Sequence, residues 1–375
     1  MRPETLRHGS ATAALRRFHE RPAFTRGQHR VAYLRRIDLR KVLHQFGVAG
    51  IRRTRHITTG LMNRCWEVVA HDGRRLFVKQ VLELSVTQTE LHHYATRALN
   101  ELGLPVPAPM LTRAGNTLAE TGEGWFAVYP WSAGIHRPGP QLTIRQAADL
   151  GTLFAKIQSG LREVMPAAEP LRAPPPFDPA ETLREVEHFR LVISRLPGLS
   201  TFDRFVLADL RDREAMLAAA PSPGPLSGPG GWTHGDFHGL NVLWRSGEVS
   251  AVVDFDRLSC LPYASELVRS VMILFTYGDR RGMAVEQVAA FINAYRAVSP
   301  LTGEELRTAA NHYWRERLGN LTQLERHYHH DEKARDHIFV RSGILLSWWW
   351  RHPEQVGFLF SNTDPRSGES PAGMV

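Results

Sequence analysis

Lysine is nearly missing from this chain: of 46 Lys+Arg among 375 residues, only Lys41, Lys79, Lys156 and Lys333 are lysines. So strong an arginine skew follows GC-rich coding more readily than a binding surface. Cysteine is equally scarce. Cys65 and Cys260 cannot build a disulfide framework or a thiolate zinc site, so a reducing, cytoplasmic setting is expected. Long apolar runs are missing too: the best stretch, Ile338 to Trp350, is interrupted by Arg341 and falls short of the roughly 18 residues a membrane span needs. The first residues carry charge but no apolar signal-peptide core. Acidic residues are thin at the start. Residues 1–60 hold 14 Lys+Arg against 3 Asp+Glu, and the remainder 32 against 35. The net charge of +8 therefore belongs to an Arg-rich N-terminal extension, residues 1–45, on a mildly acidic body. That weakens a nucleic-acid or membrane-surface reading.

What is present falls into two parts. Within 1–45, Leu34 to Phe46 can form an amphipathic helix. From Arg53 the pattern turns to strands: Trp66 to Val69 and Leu76 to Val81, joined by Asp72-Gly73, a hairpin signal. A helix is predicted over Val86 to Leu102 with Gly103 closing it. Two further strands are expected at Thr117 to Ala119 and Trp125 to Tyr129. After Thr143, an N-cap candidate, Ala147, Leu150, Leu153, Phe154 and Ile157 recur at helical spacing. A second hairpin is expected around Ser246-Gly247, and helices from Ser265 to Trp350. The prediction is a two-lobed α+β protein with a cleft between the lobes. Its parts are the extension 1–45, a small antiparallel β lobe 46–130 with one helix, a mainly helical lobe 131–360, and a tail 361–375.

The sharpest segment is His234-Gly235-Asp236-Phe237-His238-Gly239-Leu240-Asn241, followed by Asp254-Phe255-Asp256. An Asp, an Asn five residues on, and a second Asp after an apolar strand suit magnesium-dependent phosphoryl transfer. That reaction asks mainly for positioning and charge neutralisation. One carboxylate stands beside the attacking hydroxyl, while an amide oxygen and a second carboxylate are hard ligands for Mg²⁺. Each residue alone could cap a turn; together, between two apolar strands, they point to a site.

This segment, with Val252 to Asp256, resembles the catalytic and metal motifs of the aminoglycoside phosphotransferase/choline kinase group. The resemblance covers roughly residues 50–345. It implies a protein-kinase-like fold and an ATP-dependent phosphotransferase acting on a small-molecule hydroxyl, with Asp236 catalytic and Asn241 and Asp254 holding Mg²⁺. GTP remains an alternative donor. Lys79, in Leu76-Phe77-Val78-Lys79, falls where the group places its phosphate-binding lysine, and Glu90 resembles the helix glutamate that pairs with it. The glycine-poor segment Thr58 to Arg64 corresponds to the nucleotide loop, with backbone N–H groups and Thr58, Thr59 or Asn63 as phosphate contacts. Trp125 to Gly134 resembles the hinge, with the Pro130 carbonyl and the Ser132 N–H meeting adenine. Glu266 stands where the group usually has Asp, which puts its bracing role in question.

Only eleven residues separate Asp254 from Glu266, too few for a long activation segment, and the loop reads His-Gly-Asp. Both favour a small acceptor: an aminoglycoside or amino sugar, or a homoserine- or choline-like amino alcohol. A non-catalytic, nucleotide-binding kinase-like protein is the alternative. His327, His329 and His330 lack convincing metal-ligand spacing, and Trp348 to Trp350 fit the packing of a terminal helix better than a pocket.

Overall fold

The structure is a computed structural model, and it describes residues 37–58, 63–167, 171–174, 177–219, 223–279 and 281–361. Nine strands order the first lobe and the heart of the second. They are β1 (Ile51–Ile57), β2 (Arg64–Ala70), β3 (Arg75–Val81), β4 (Ala119–Thr121), β5 (Gly124–Pro130), β6 (Gly230–Thr233), β7 (Val242–Arg245), β8 (Glu248–Val252) and β9 (Ser259–Pro262). The first five form one antiparallel sheet in the order β1-β2-β3-β5-β4. The small pairs β6-β9 and β7-β8 frame the catalytic segment.

Two helices flank the five-stranded sheet. Helix α1 (Leu39–Gln45) is capped by Asp38 and buries Leu39, Val42 and Leu43. These pack with Phe46, Val48, Val68, Leu76, Val78, Phe126 and Val128 into one core. Leu39, Val42, Leu43 and Phe46, part of the expected apolar stripe, thus form a wall of the small lobe. Helix α2 (Val86–Glu101) opens on a capping box, Ser85 with Gln88, and is followed by Gly103 at φ +77°. That is the left-handed residue expected of a helix stop.

The larger lobe is built from α3 (Ile144–Val164), α4 (Pro179–Ser194), α5 (Thr201–Ala219), α6 (Tyr263–Leu274), α7 (Val285–Val298), α8 (Gly303–Gly319), α9 (Thr322–His330), α10 (Asp336–Arg351) and α11 (Pro353–Ser361). Thr143 caps α3 through a capping box with Gln146. One apolar core joins α3, α6, α7, α8, α10 and α11. Trp348 and Trp349 are buried in it, as packing of a terminal helix requires. The β7-β8 turn uses Ser246 at φ 52° and Gly247 at φ 88°, a primed turn that matches strand twist. No described helix is long and apolar enough to cross a membrane.

Candidate active site

The catalytic segment is fixed from below by its apolar members. Phe237 is fully buried and stacks on Phe154 of α3, ring centroids 4.2 Å apart. Gly235 sits at φ +74°, and a Cβ there would lie 2.0 Å from the Arg257 carbonyl oxygen. Only glycine fits, which accounts physically for His-Gly-Asp. His234 is buried, and burial lowers its pKa to about 4, so the ring is neutral. Its Nε2 donates to the Val253 carbonyl (3.0 Å) and its Nδ1 accepts from the Asp236 N–H (3.2 Å).

Glu266 braces the same loop. It is fully buried, and its carboxylate accepts from the Gly235 N–H at 2.6 Å and from Gln158 Nε2 at 3.2 Å. Tyr295 in turn donates to Gln158. Burial pushes Glu266 up to about 7, against these hydrogen bonds. The extra methylene relative to aspartate leaves the bracing intact.

These supports bring Asp236, Asn241 and Asp254 together. Asn241 is buried, and its Nδ2 donates to the Asp236 carbonyl at 2.9 Å. That contact leaves the amide oxygen, a hard donor, available to a cation. Asp254, half exposed, adopts φ 66°, ψ 65°, a left-handed conformation that aspartate tolerates better than most residues. Asp256 lies two residues on and is mostly buried. Among the described residues no three His, Cys, Asp or Glu side chains form a metal-holding group. The donor set still fits Mg²⁺ of the kinase kind, which keeps several waters and draws other ligands from phosphate oxygens.

Lys79 enters from the small lobe. It lies on the central strand β3, paired with Cys65 and Ala127. The two-residue period turns it away from the Leu76 and Val78 core. Its Nζ is 3.2 Å from Asp254 Oδ1 and 2.5 Å from Asp256 Oδ2. Burial pulls its pKa down, but Asp256 and Asp254 raise it further, so the ammonium stays charged. Asn63 adds to this cluster: its Nδ2 donates to Asp256 at 2.7 Å and its Oδ1 accepts from the Leu82 N–H. That side chain ties the end of the strand to Asp256. The rest of the expected nucleotide loop, Thr59 to Met62, lies outside the described residues.

Glu90 does not pair with Lys79. It is exposed on α2, whose buried polar positions are Thr89, His92, His93 and Thr96. His93 Nε2 lies 2.9 Å from the Tyr129 hydroxyl. Burial lowers His92 to about 4 and His93 to about 3, so both are neutral and the inner face of α2 carries no acid. The helical phase decides this: with 3.6 residues per turn, Glu90 falls on the solvent side once Thr89 and His93 face inward. Pro130 ends β5 and is exposed; Ser132 follows, half-buried. Trp131 extends the ladder by donating to the Arg75 carbonyl, and Ile135 pairs with Trp244. The segment thus runs from the small-lobe sheet to the catalytic hairpin.

Asp236 has neighbours the sequence did not flag. Arg269 NH2 lies 2.6 Å from its Oδ1, while His238 Nε2 and Arg257 Nε lie 3.4 and 3.7 Å from its Oδ2. Burial raises its pKa, but the His238 hydrogen bond and the Arg269 charge outweigh that and hold it well below the usual carboxylate range. The signal for Arg269 was helical spacing, since it follows Glu266 by three residues on α6 and shares its face. No comparable spacing points to Arg257.

Residues 53–301 match the Phosphotransferase enzyme family. A homoserine kinase of Methylobacillus flagellatus is 26% identical over 343 residues, which is 84% of this chain and 94% of that protein. Among solved structures, an aminoglycoside phosphotransferase from Alicyclobacillus acidocaldarius aligns with a TM-score of 0.59 at 15% identity, covering 88% of this chain and 96% of its own. A spectinomycin phosphotransferase in complex with ADP and spectinomycin aligns with a TM-score of 0.58 at 15% identity, covering 81% and 94%. These two likenesses establish the fold. The family match runs over more than half of the chain and takes in both the lysine strand and the catalytic segment, so the chain belongs to the Phosphotransferase enzyme family, kinases that place a phosphoryl group on an alcohol.

Proposed function

We propose that the protein transfers the γ-phosphate of ATP to the hydroxyl of a small molecule, with Mg²⁺ held by Asn241 and Asp254 and with Asp256 beside them. The observation that carries this is the convergence of Lys79 from one lobe and Asp254 from the other, 3.2 Å apart. Bound Mg²⁺ would neutralise charge on the phosphates. Lys79 would exchange its carboxylate partners for phosphate oxygens. The Pro130 carbonyl and the Ser132 N–H would meet the purine edge. Glu90 has no part in this reading.

Asp236 accepts a hydrogen bond from the acceptor hydroxyl and aims it. Because the carboxylate is held so acidic by His238 and Arg269, it is a weak base. A loose transition state asks for little deprotonation early on, so orientation is its main contribution and proton uptake comes late. A homoserine kinase among the relatives makes L-homoserine the first acceptor to try, ahead of aminoglycosides and choline. A coupled ADP-release assay tests the reading: Mg²⁺-dependent ADP formation with one of these acceptors is expected. Nucleotide binding with no turnover on any acceptor would overturn it.

A further inference from the structure

We propose that Arg269 is the docking residue for an anionic group on the acceptor, so that the substrate is a small hydroxylated acid and not a polycation. This rests on the phosphotransferase reading of Asp236. Three observations carry it. First, Arg269 is only partly committed. Its NH2 reaches Asp236 Oδ1 at 2.6 Å, but its NH1 is buried with no hydrogen-bond partner among the described residues. A buried guanidinium donor left unmade is costly, and an oxyanion is the partner that best satisfies it, often through both arms of the fork. Its side chain is 32% exposed, so the residue borders solvent although NH1 itself is buried.

Second, the surroundings are cationic. Arg257 stands on the other oxygen of Asp236, beside the His238 ring. Helix α8 packs on α6 and brings up Tyr313 and Arg317. Tyr313 is partly buried, with the Arg317 guanidinium 5.6 Å from its ring; Arg317 itself pairs with Glu316. A polycationic acceptor would meet repulsion from this set, whereas an acid would meet attraction.

Third, Arg269 stands on one oxygen of Asp236 and Arg257 and His238 on the other, so an acceptor hydroxyl competes with them for the carboxylate. An incoming anion gives Arg269 a second partner and loosens that pair. The acceptor's own charge thereby frees the group that orients its hydroxyl. A carboxylate and a phosphate ester share this chemistry, and the test separates them.

The experiment has two arms. In the first, ADP release is measured with L-homoserine against homoserine amide, and with glycerol phosphate against glycerol, for the native protein, Arg269→Gln and Arg269→Lys. The native protein should favour one charged member over its uncharged partner by about a hundredfold in kcat/KM. Arg269→Gln should erase most of that ratio through KM, and Arg269→Lys should restore part of it. If Arg269 served only to hold Asp236, its loss would lower kcat alike for charged and uncharged acceptors, and the proposal would fall. It also falls if the native protein favours the uncharged members.

In the second arm, calorimetry without nucleotide follows binding of L-homoserine and glycerol phosphate to the native protein, Arg269→Gln and Asp236→Asn. Arg269→Gln should weaken binding of the favoured acid by about ten- to a hundredfold. Asp236→Asn removes the competing carboxylate while the hydroxyl contact is altered, so it should weaken binding much less than Arg269→Gln does. Arg269-dependent binding without ADP formation upholds the docking role while sinking the kinase reading. Turnover without charge preference does the reverse.

Discussion

The two sides of the cleft solve opposite charge problems. On the nucleotide side one buried lysine, Lys79, faces two carboxylates, Asp254 and Asp256. On the side proposed for the acceptor one carboxylate, Asp236, faces Arg269 and Arg257. In each place the central group is outnumbered by its counter-charges. Surplus carboxylates around Lys79 suit a cation that arrives with phosphates. Surplus guanidinium around Asp236 suits an anion that arrives with a hydroxyl. Local excess, not the overall charge of +8, distinguishes the two halves of the reaction.

The comparison can be broken at its centres. Asp236→Ala and Asp254→Ala should each lower kcat by about a thousandfold or more while circular dichroism and melting stay near native. Near-native turnover in either would remove that residue from its assigned side. Lys79→Ala should cost about a hundredfold, read in the same ADP-release assay, together with weaker nucleotide binding.

Smaller effects sharpen it. Glu266→Ala strands the Gly235 N–H and the Gln158 amide, and should lower unfolding stability by about 2 kcal/mol in chemical denaturation. Acid should destabilise the fold as well. The buried histidines His92, His93 and His234 have pKa values near 4, 3 and 4 against an ordinary 6.5, so the unfolded chain binds their protons first. Their contribution is present above about 6.5 and is lost as pH falls through their folded values. Glu266, raised to about 7, works the other way: its folded form takes a proton first, which favours folding as pH drops from 7 towards 4.5. Three histidines outweigh one glutamate, so denaturation midpoints should fall between pH 6.5 and 4.5. A flat profile there would show that the rings are not held neutral. The smallest effect is expected from Glu90→Ala, which should keep turnover within about threefold, since surface substitutions rarely reach far. A tenfold loss would mean that α2 turns to bring Glu90 to Lys79 when nucleotide binds.

Strands β2, β3 and β5, the Ser246-Gly247 turn, the Thr143 cap and the Gly103 stop were legible because each depends on neighbours in sequence; β1, β6 and β9 were not, and β4 begins at Ala119, two residues later than expected. Asp236, Asn241, Asp254 and Lys79 were legible through spacing and through the scarcity of lysine. Glu90 misled because helical phase is set by what the helix packs against, and that is tertiary. The helix at Leu39–Gln45 was visible, but its place in the core was not, because its partners on β2, β3 and β5 are distant in sequence. Arg257 was hidden among 42 arginines, and Arg269 was marked only by its three-residue spacing from Glu266.

The contact between Gly235 and the Arg257 carbonyl has a further consequence. Any side chain at 235 would have to push the Arg257 backbone aside, and Arg257 follows Asp254, Phe255 and Asp256 without a break. A change on the hydroxyl side would therefore be transmitted to the cation side through main chain alone. The two motifs are therefore one mechanical unit, and a side chain at 235 should disturb Asp254 and Asp256 as well as Asp236.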